Sequence, residues 1–333
     1  MDSFTQIVLG AAVGEAALGK KVGNKALLYG AIAGTIPDLD ILSGFFVDTV
    51  TALEIHRGFT HSILFAVFGG MFFGWLVSLW EKRASWKQWS WLFFLGFITH
   101  SWLDAHTSWG TQIFWPFGYQ VSFRNIFVID PLYTIPFAIF LLLAWISPVG
   151  SSKRARYNWW GIGISSAYML VTIVLKFVTY DKFVQALDEQ GVVYSTIQTK
   201  PSPMNTILWT ANVQTEDAFL IGDYSFFDTE PIQFYSHPKN HELLSGLRDN
   251  KDVQRLITVT EDKYTVVKKE DGIYLNDLRF GMISVKQNGD KYAFSYKLEE
   301  VGDEIIITEE VKDREDAKRM LSDLWSRLLG RRI

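Results

Sequence analysis

Long apolar stretches in the first 180 residues constrain the fold of this chain more than any other feature. Four of them approach the roughly 20 helical residues that are needed to cross a bilayer. Two more are weaker, but they are rich in the small residues that let helices pack closely in lipid. We predict an all-α polytopic membrane bundle of about six helices; a buried helical hairpin that never contacts lipid is the alternative. The predicted segments are Phe4–Leu18, Ala26–Leu42, Ile63–Trp80, Trp89–Leu103, Phe127–Ile146 and Trp159–Tyr180.

Charge separates the chain into two parts. Residues 1–180 carry nine of the 36 acidic and 12 of the 32 basic side chains, so the remaining 153 residues are acidic. This contrast predicts a membrane-embedded domain over 1–180 and a soluble α+β domain over 181–333. The net charge of −4 argues against nucleic acid as a partner. Because the chain has no cysteine, thiol catalysis, disulfides and thiolate metal sites are excluded.

Basic residues predict the orientation of the membrane part. Nine of its 12 Lys and Arg residues occupy alternate short loops, and the positive-inside rule places such loops in the cytoplasm. Both termini, the domain after Tyr180 and the polar helix ends then lie on the extracytoplasmic side of the cell membrane. The loop residues are Lys20, Lys21 and Lys25, then Lys82, Arg83 and Lys87, and then Lys153, Arg154 and Arg156.

After residue 180 the pattern changes to short alternating segments that are typical of strands, followed by an amphipathic helix over Arg314–Leu329. His237 and His241 flank Pro238, so we interpret them as surface histidines and not as a helical metal pair. The predicted strands are Val192–Gln198, Thr206–Val213, Ala218–Tyr224, Tyr264–Lys269, Met282–Val285, Tyr292–Leu298 and Glu304–Glu309.

Ionisable residues gather at the predicted outer ends of the membrane segments. Asp38 and Asp40 follow Pro37, which favours a helix break that presents both carboxylates. His56 and His61 flank Gly58, so that both imidazoles can point toward the bundle mouth. Ionisable groups persist near lipid mainly where they face a bundle interior or a water-filled site.

A third group of polar residues lies on and after the fourth segment. His100 and Asp104 stand four residues apart and share one helix face, where they could bind one ion. His106 follows, as a further ligand or a residue behind the ligands. Arg57 and Arg124 could fork to an anionic oxygen, or pair with a carboxylate of the site. One of the spare carboxylates, Asp40 or Asp130, is the predicted general base.

These motifs, P-D-L-D, H-R-G-F-T-H-S and H-x3-D followed by T-S-W-G-T, resemble the YdjM family of membrane-bound proteins that are regarded as metal-dependent hydrolases. The likeness covers about residues 1–150. The family is in turn similar to zinc-dependent phospholipase C and the S1/P1 nucleases. By that likeness Asp38, His56 or His61, His100 and Asp104 are metal ligands. Many relatives carry Thr-His where this chain has Thr5-Gln6, and the later phospholipase ligands have no counterpart, so the resemblance implies one or two ions.

The sequence therefore predicts a zinc-dependent hydrolase that acts on a phosphoester in a membrane lipid or lipid-linked substrate. The predicted metal ligands are Asp38, His56, His61, His100, Asp104 and His106, and the predicted catalytic residues are Asp40, Arg57, Arg124 and Asp130. A metal-stabilised membrane scaffold, whose outer domain binds an unidentified protein partner without catalysis, is the alternative. A transporter is disfavoured because the charges lie at one rim and do not run through the midplane.

Overall fold

The computed structural model describes residues 1–282, 291–302, 304–310 and 322–331. These residues form two compact units. The first contains Met1–Ser43, Ile55–Val174 and Pro203–Asn205, and the second contains Gly44–Glu54, Leu175–Ser202 and the chain from Thr206.

Each of the six predicted apolar segments contains an α-helix. These are α1 Ser3–Val22, α2 Asn24–Thr35, α4 Ile63–Ser78, α5 Trp86–Ala105, α6 Pro131–Ile146 and α7 Ser152–Glu189, while the short α3 covers Thr49–Ile55. A 3-10 helix at Pro37–Phe45 follows α2 with a bend of 45°, and another at Phe59–His61 precedes α4.

Capping side chains set where several helices begin. Ser62 precedes α4 and its Oγ accepts from Phe65 N at 3.0 Å. Asp130 precedes α6, where Pro131 takes the first helical position and the carboxylate accepts from Leu132 N at 3.0 Å. Both arrangements satisfy backbone N–H groups that a helix start leaves without partners.

Glycines bring α1 and α2 into direct backbone contact. A Cβ atom at Gly10 would lie 2.3 Å from the carbonyl oxygen of Gly30, and one at Gly14 would lie 2.2 Å from that of Ala26. Neither position can therefore carry a side chain without separating the helices. This confirms that the small residues of the first two segments serve close packing.

The number of membrane crossings stays a prediction. Among the described residues, α7 is the one helix that is long and apolar enough to cross a membrane unaided. The total rises to three if the bent pairs Asn24–Thr35 with Pro37–Phe45, and Thr49–His61 with Ile63–Ser78, each form one span. The remaining predicted crossings are α1, α5 and the short α6, which do not qualify as membrane spans by length and composition alone.

The second unit contains two antiparallel four-stranded sheets, each with its strands in sequence order. The first consists of β1 Thr196–Pro201, β2 Leu208–Gln214, β3 Ala218–Ser225 and β4 Phe234–Pro238; the second consists of β5 Tyr264–Lys269, β6 Gly272–Met282, β7 Tyr292–Val301 and β8 Glu304–Glu309. The same unit holds a 3-10 helix at His241–Leu244 and α8 at Lys251–Val259.

Some elements of this unit differ from the sequence prediction. The strand predicted at Met282–Val285 overlaps β6 only at Met282, where β6 ends, and residues 283–285 lie outside the described residues. β4, α8 and the part of β6 before Met282 were not predicted. The last predicted helix is helical over residues 322–328, and the part of it before residue 322 lies outside the described residues.

Candidate metal centre

Four side chains from three elements of the first unit meet at one point. Asp38 comes from the 3-10 helix after α2, His61 ends the 3-10 helix before α4, and His100 and Asp104 lie one turn apart at the end of α5. Each offers one ligand atom, and these atoms all lie within 4.8 Å of one another. Three of the side chains are fully buried, whereas Asp38 is 21% exposed, so it forms the accessible edge of the group.

Five of the six distances between the four ligand atoms lie near those expected around a tetrahedral ion. His61 Nε2 lies 3.1 Å from His100 Nε2, 3.4 Å from Asp38 Oδ1 and 3.5 Å from Asp104 Oδ2. His100 Nε2 lies 3.4 Å from Asp38 Oδ1 and 3.9 Å from Asp104 Oδ2. Metal–ligand bonds of about 2.0–2.2 Å around a tetrahedral zinc would place neighbouring ligand atoms roughly 3.3–3.6 Å apart. The cluster is thus the right size for one divalent cation.

The outer nitrogen of each imidazole is already engaged. His100 Nδ1 donates to the carbonyl oxygen of Gly34 at 2.8 Å. Thr60 Oγ1 donates to Asp40 at 2.9 Å, so it can accept from His61 Nδ1 at 3.1 Å. With both protons on Nδ1, the two Nε2 atoms present lone pairs to each other and to two carboxylate oxygens. A cation between these atoms would be bound by all four, and such outer hydrogen bonds are typical of metal-bound histidines.

Asp40 organises the H-R-G-F-T-H loop. Its carboxylate is buried and accepts from His56 Nδ1 at 2.9 Å, from Arg57 N at 2.8 Å and from Thr60 Oγ1 at 2.9 Å. The same carboxylate lies 3.4 Å from His61 Nδ1. The structure thus places Asp40 behind the ligand His61 and places His56 against Asp40, outside the four-residue cluster.

Arg57 reaches the cluster from the same loop. It is buried, its Nε lies 3.0 Å from Asp104 Oδ2, and its Nη1 donates to Thr107 Oγ1 at 2.8 Å. Its φ of 58° lies in the left-handed region, which a residue with a side chain rarely adopts. Thr107 is the first residue of the T-S-W-G-T stretch, so this stretch helps to hold the Arg57 side chain in place.

Gln6 belongs to the site, although the sequence pattern did not identify it as a ligand. It is fully buried, and its Nε2 donates to Asp104 Oδ1 at 2.8 Å and to the His100 carbonyl oxygen at 3.3 Å. Because both partners are acceptors, the orientation of the amide is fixed. Its Oε1 is buried and has no hydrogen-bond partner in the part of the chain that the structure describes. An unsatisfied buried carbonyl costs about 1–3 kcal/mol, and a bound ion or water is a common reason for one.

The other predicted site residues have different partners. His106 Nδ1 contacts Asn125 Oδ1 at 2.8 Å, and burial lowers the pKa of His106. Arg124 donates to the carbonyl oxygen of Ser122 at 3.3 Å. Asp130 caps α6 and accepts from Tyr168 OH at 3.0 Å. The structure thus gives each of these three a local partner outside the four-residue cluster.

The histidines of the second unit are also engaged. His237 is buried, so its interpretation as a surface residue was wrong, and its Nδ1 lies 3.3 Å from Tyr292 OH. His241 stacks on Tyr264 with ring centroids 4.1 Å apart, and burial lowers its pKa. The pairing of His237 with a residue 55 positions away was not visible in the local pattern.

Comparisons with known proteins assign the first part of the chain to a membrane family. Residues 1–178 match the model of the family described as YdjM inner membrane protein. Inner membrane protein YbcI of Escherichia coli is 31% identical over 136 residues, which are 40% of this chain and 75% of the relative. The uncharacterized protein YfhP of Bacillus subtilis is 28% identical over 233 residues, 67% of this chain and 68% of the relative. No solved structure matches significantly. The chain is thus a cell membrane protein, and it belongs to the YdjM inner membrane protein family.

Proposed function

We propose that this protein is a membrane-bound, metal-dependent hydrolase whose site faces the extracytoplasmic side. The observation that carries the proposal is the convergence of two imidazole Nε2 atoms and two carboxylate oxygens within 4.8 Å. Two nitrogen and two oxygen donors suit zinc, so zinc is the first candidate for the ion. The H-x3-D pair on α5 also supports a distant likeness to zinc-dependent phospholipase C and the S1/P1 nucleases.

The substrate we propose is a phosphoester in a lipid or a lipid-linked molecule. A divalent ion at the cluster supplies Lewis acidity that lowers the pKa of a coordinated water toward about 7 and polarises a phosphoryl oxygen. Asp38 is the partly exposed ligand, so a substrate would approach from its side. Arg57 adds a fixed positive charge beside Asp104, where it would stabilise the negative charge that grows on a phosphoryl oxygen.

The alternative is a metal-stabilised scaffold without catalysis, and one feature of the cluster favours it. Four protein ligands close a tetrahedron, which is typical of structural zinc, whereas catalytic zinc keeps a position for water. Hydrolysis at this cluster would need an open coordination position, which one of the carboxylates would have to vacate. Asp38 is the side chain with room to do so, because the other three are fully buried.

Turnover and metal content measured in the same preparations separate the two functions. We expect the full-length protein in lipid nanodiscs to hydrolyse at least one lipid phosphoester when it is loaded with zinc. Arg57→Ala should retain metal and lose about 10²–10³ in turnover, as removal of a preorganised donor usually does. Arg57→Lys should recover part of it, because a point charge cannot fork to two oxygens. Arg83→Ala, at an exposed position, is the matched control.

Two outcomes would overturn the hydrolase proposal. If zinc-loaded protein cleaves no phosphoester, carboxylic ester or amide lipid, the scaffold function takes its place. If Arg57→Ala loses metal and activity together, Arg57 supports the ligand Asp104 and gives no evidence for an anionic substrate.

A further inference from the structure

The second unit includes a segment that comes from the middle of the site motifs. Gly44–Glu54 belongs to this unit, although it lies in sequence between Asp40 and His56. Within it, α3 buries Val50, which is 1% exposed, in a cluster with Leu244, Val253 and Leu256. Leu53 packs against the same cluster. The segment is therefore part of the hydrophobic core of the second unit.

A forked ion pair adds a directional contact to this packing. Arg255 on α8 donates from Nε to Glu54 Oε1 at 3.1 Å and from Nη2 to Glu54 Oε2 at 2.7 Å. The same Nη2 also donates to Thr51 Oγ1 at 2.8 Å, and Nη1 donates to Asp252 Oδ1 at 2.8 Å. Two parallel bonds to one carboxylate fix direction as well as distance. Arg255 thereby holds the last turn of α3.

The chain passes from this contact to the site within three residues. α3 ends at Ile55, whose carbonyl oxygen accepts from Gly58 N at 2.9 Å. His56 and Arg57 lie between Ile55 and Gly58. The ring of His56 and the backbone N–H of Arg57 both form hydrogen bonds with the Asp40 carboxylate. Arg57 holds a positive φ, a conformation that persists only where the surrounding structure enforces it. The last turn of α3 is thus continuous in the chain with the turn that brings Arg57 to Asp104.

We propose that Arg255 and Glu54 are positioning residues of the metal centre. The docking of α3 in the second unit holds the His56–Arg57 turn, and through it the contacts of that turn with Asp40 and Asp104. This gives the C-terminal region a role in the site without any catalytic group of its own. The inference depends on the geometry of the cluster and not on the choice of substrate.

Hydrogen exchange and metal affinity of the full-length protein in detergent test this directly. We expect Arg255→Ala to speed amide exchange severalfold in peptides that cover residues 56–61. Zn²⁺ affinity, measured by competition with a chromophoric chelator, should fall by about 3–10-fold, less than the 10–100-fold usual for residues that contact a ligand directly. Arg255→Lys should restore part of the affinity.

The control is Lys269→Ala, which breaks the ion pair between Lys269 and Glu310 in the same unit. That pair spans 2.7 Å, and the Lys269 side chain is 35% exposed against 26% for Arg255. We expect it to leave the exchange of residues 56–61 and the zinc affinity unchanged. This control shows whether the loss of any ion pair in the second unit is sufficient to change the site.

A double-mutant cycle tests whether the pair acts as a unit. Glu54→Gln, a conservative change at a partly exposed side chain, should reproduce the effect of Arg255→Ala, and the double variant should be no worse than either. Additive effects would contradict a shared role. Unchanged exchange at residues 56–61 in both single variants would overturn the proposal, even if the wild type bound no zinc.

Discussion

The Nε2 atoms of His61 and His100 face each other at 3.1 Å, while the Nδ1 atoms of both rings are engaged by oxygens behind them. The carboxylates of Asp38 and Asp104 approach the same two Nε2 atoms, so two nitrogen and two oxygen ligand atoms converge on one point. A divalent cation at that point would be bound by all four side chains at once. The pair of histidines therefore supports a metal centre more strongly than the number of acidic residues does.

Substitutions at the end of α5 and just after it can test which residues bind the metal. His100→Ala or Asp104→Ala should each remove a ligand and sharply lower the bound metal. His106→Gln should retain the metal, because His106 contacts Asn125 and lies outside the cluster. His237→Ala in the second unit should also retain it. Metal content per folded chain is the measurement, and equal content in all four variants would show that the site is elsewhere.

Asp40 is expected to act from behind His61. Asp40→Asn keeps the size of the side chain but removes the negative charge 3.4 Å from His61 Nδ1. Loss of such a partner typically weakens metal binding about 10–100-fold, and we expect zinc affinity to fall within that range. Asp181→Asn, at an exposed position on α7, is the matched control. Equal affinities in the two variants would contradict this role.

Gln6 is expected to support the cluster from α1. Gln6→Leu removes the amide that donates to Asp104 Oδ1, together with the buried Oε1 that has no partner in the described chain. We expect about tenfold weaker zinc binding, at the low end of the range for such supporting residues. Gln185→Leu, on the exposed surface of α7, should bind zinc like the wild type. Unchanged zinc affinity in Gln6→Leu would show that the hydrogen bonds of the Gln6 amide do not support the metal site.

The orientation of the chain is an independent prediction. Paired reporters that are active on opposite sides of the membrane, fused after Lys25, Lys87 and Arg156, should report the cytoplasm. A fusion after Tyr180 should report the outside, because basic residues occupy the three alternate loops. A cytoplasmic signal from the Tyr180 fusion would place the second unit inside the cell and reverse the proposed direction of the site.

The elements of the fold that follow from local patterns were predictable from the sequence. Apolar runs gave the helices, alternation gave most strands, and the spacing of His100 and Asp104 placed both on one face of α5. The motifs around Asp38 and His61 could be assigned to the same end of the bundle because they follow or precede apolar segments. These relationships depend on periodicity and on chain direction alone.

Other features depend on contacts between residues far apart in sequence, which no local pattern contains. Gln6 contacts Asp104, which lies 98 positions away in the sequence, and Arg255 contacts Glu54, which lies 201 positions away. The pairing of His106 with Asn125 likewise follows from the fold of the connecting loop and not from the spacing of ligand-type residues. The sequence could identify which side chains were chemically able to form a site, but not which of them the fold brings together.

Elemental analysis of the purified full-length protein tests the central claim most directly. The wild type, incubated with Zn²⁺ and freed of excess metal, should retain about one equivalent of zinc per chain. The double variant His61→Ala/His100→Ala should retain almost none while remaining folded and embedded in its detergent micelle. A well-folded wild type that holds no metal, or a double variant that holds as much as the wild type, would contradict the metal centre.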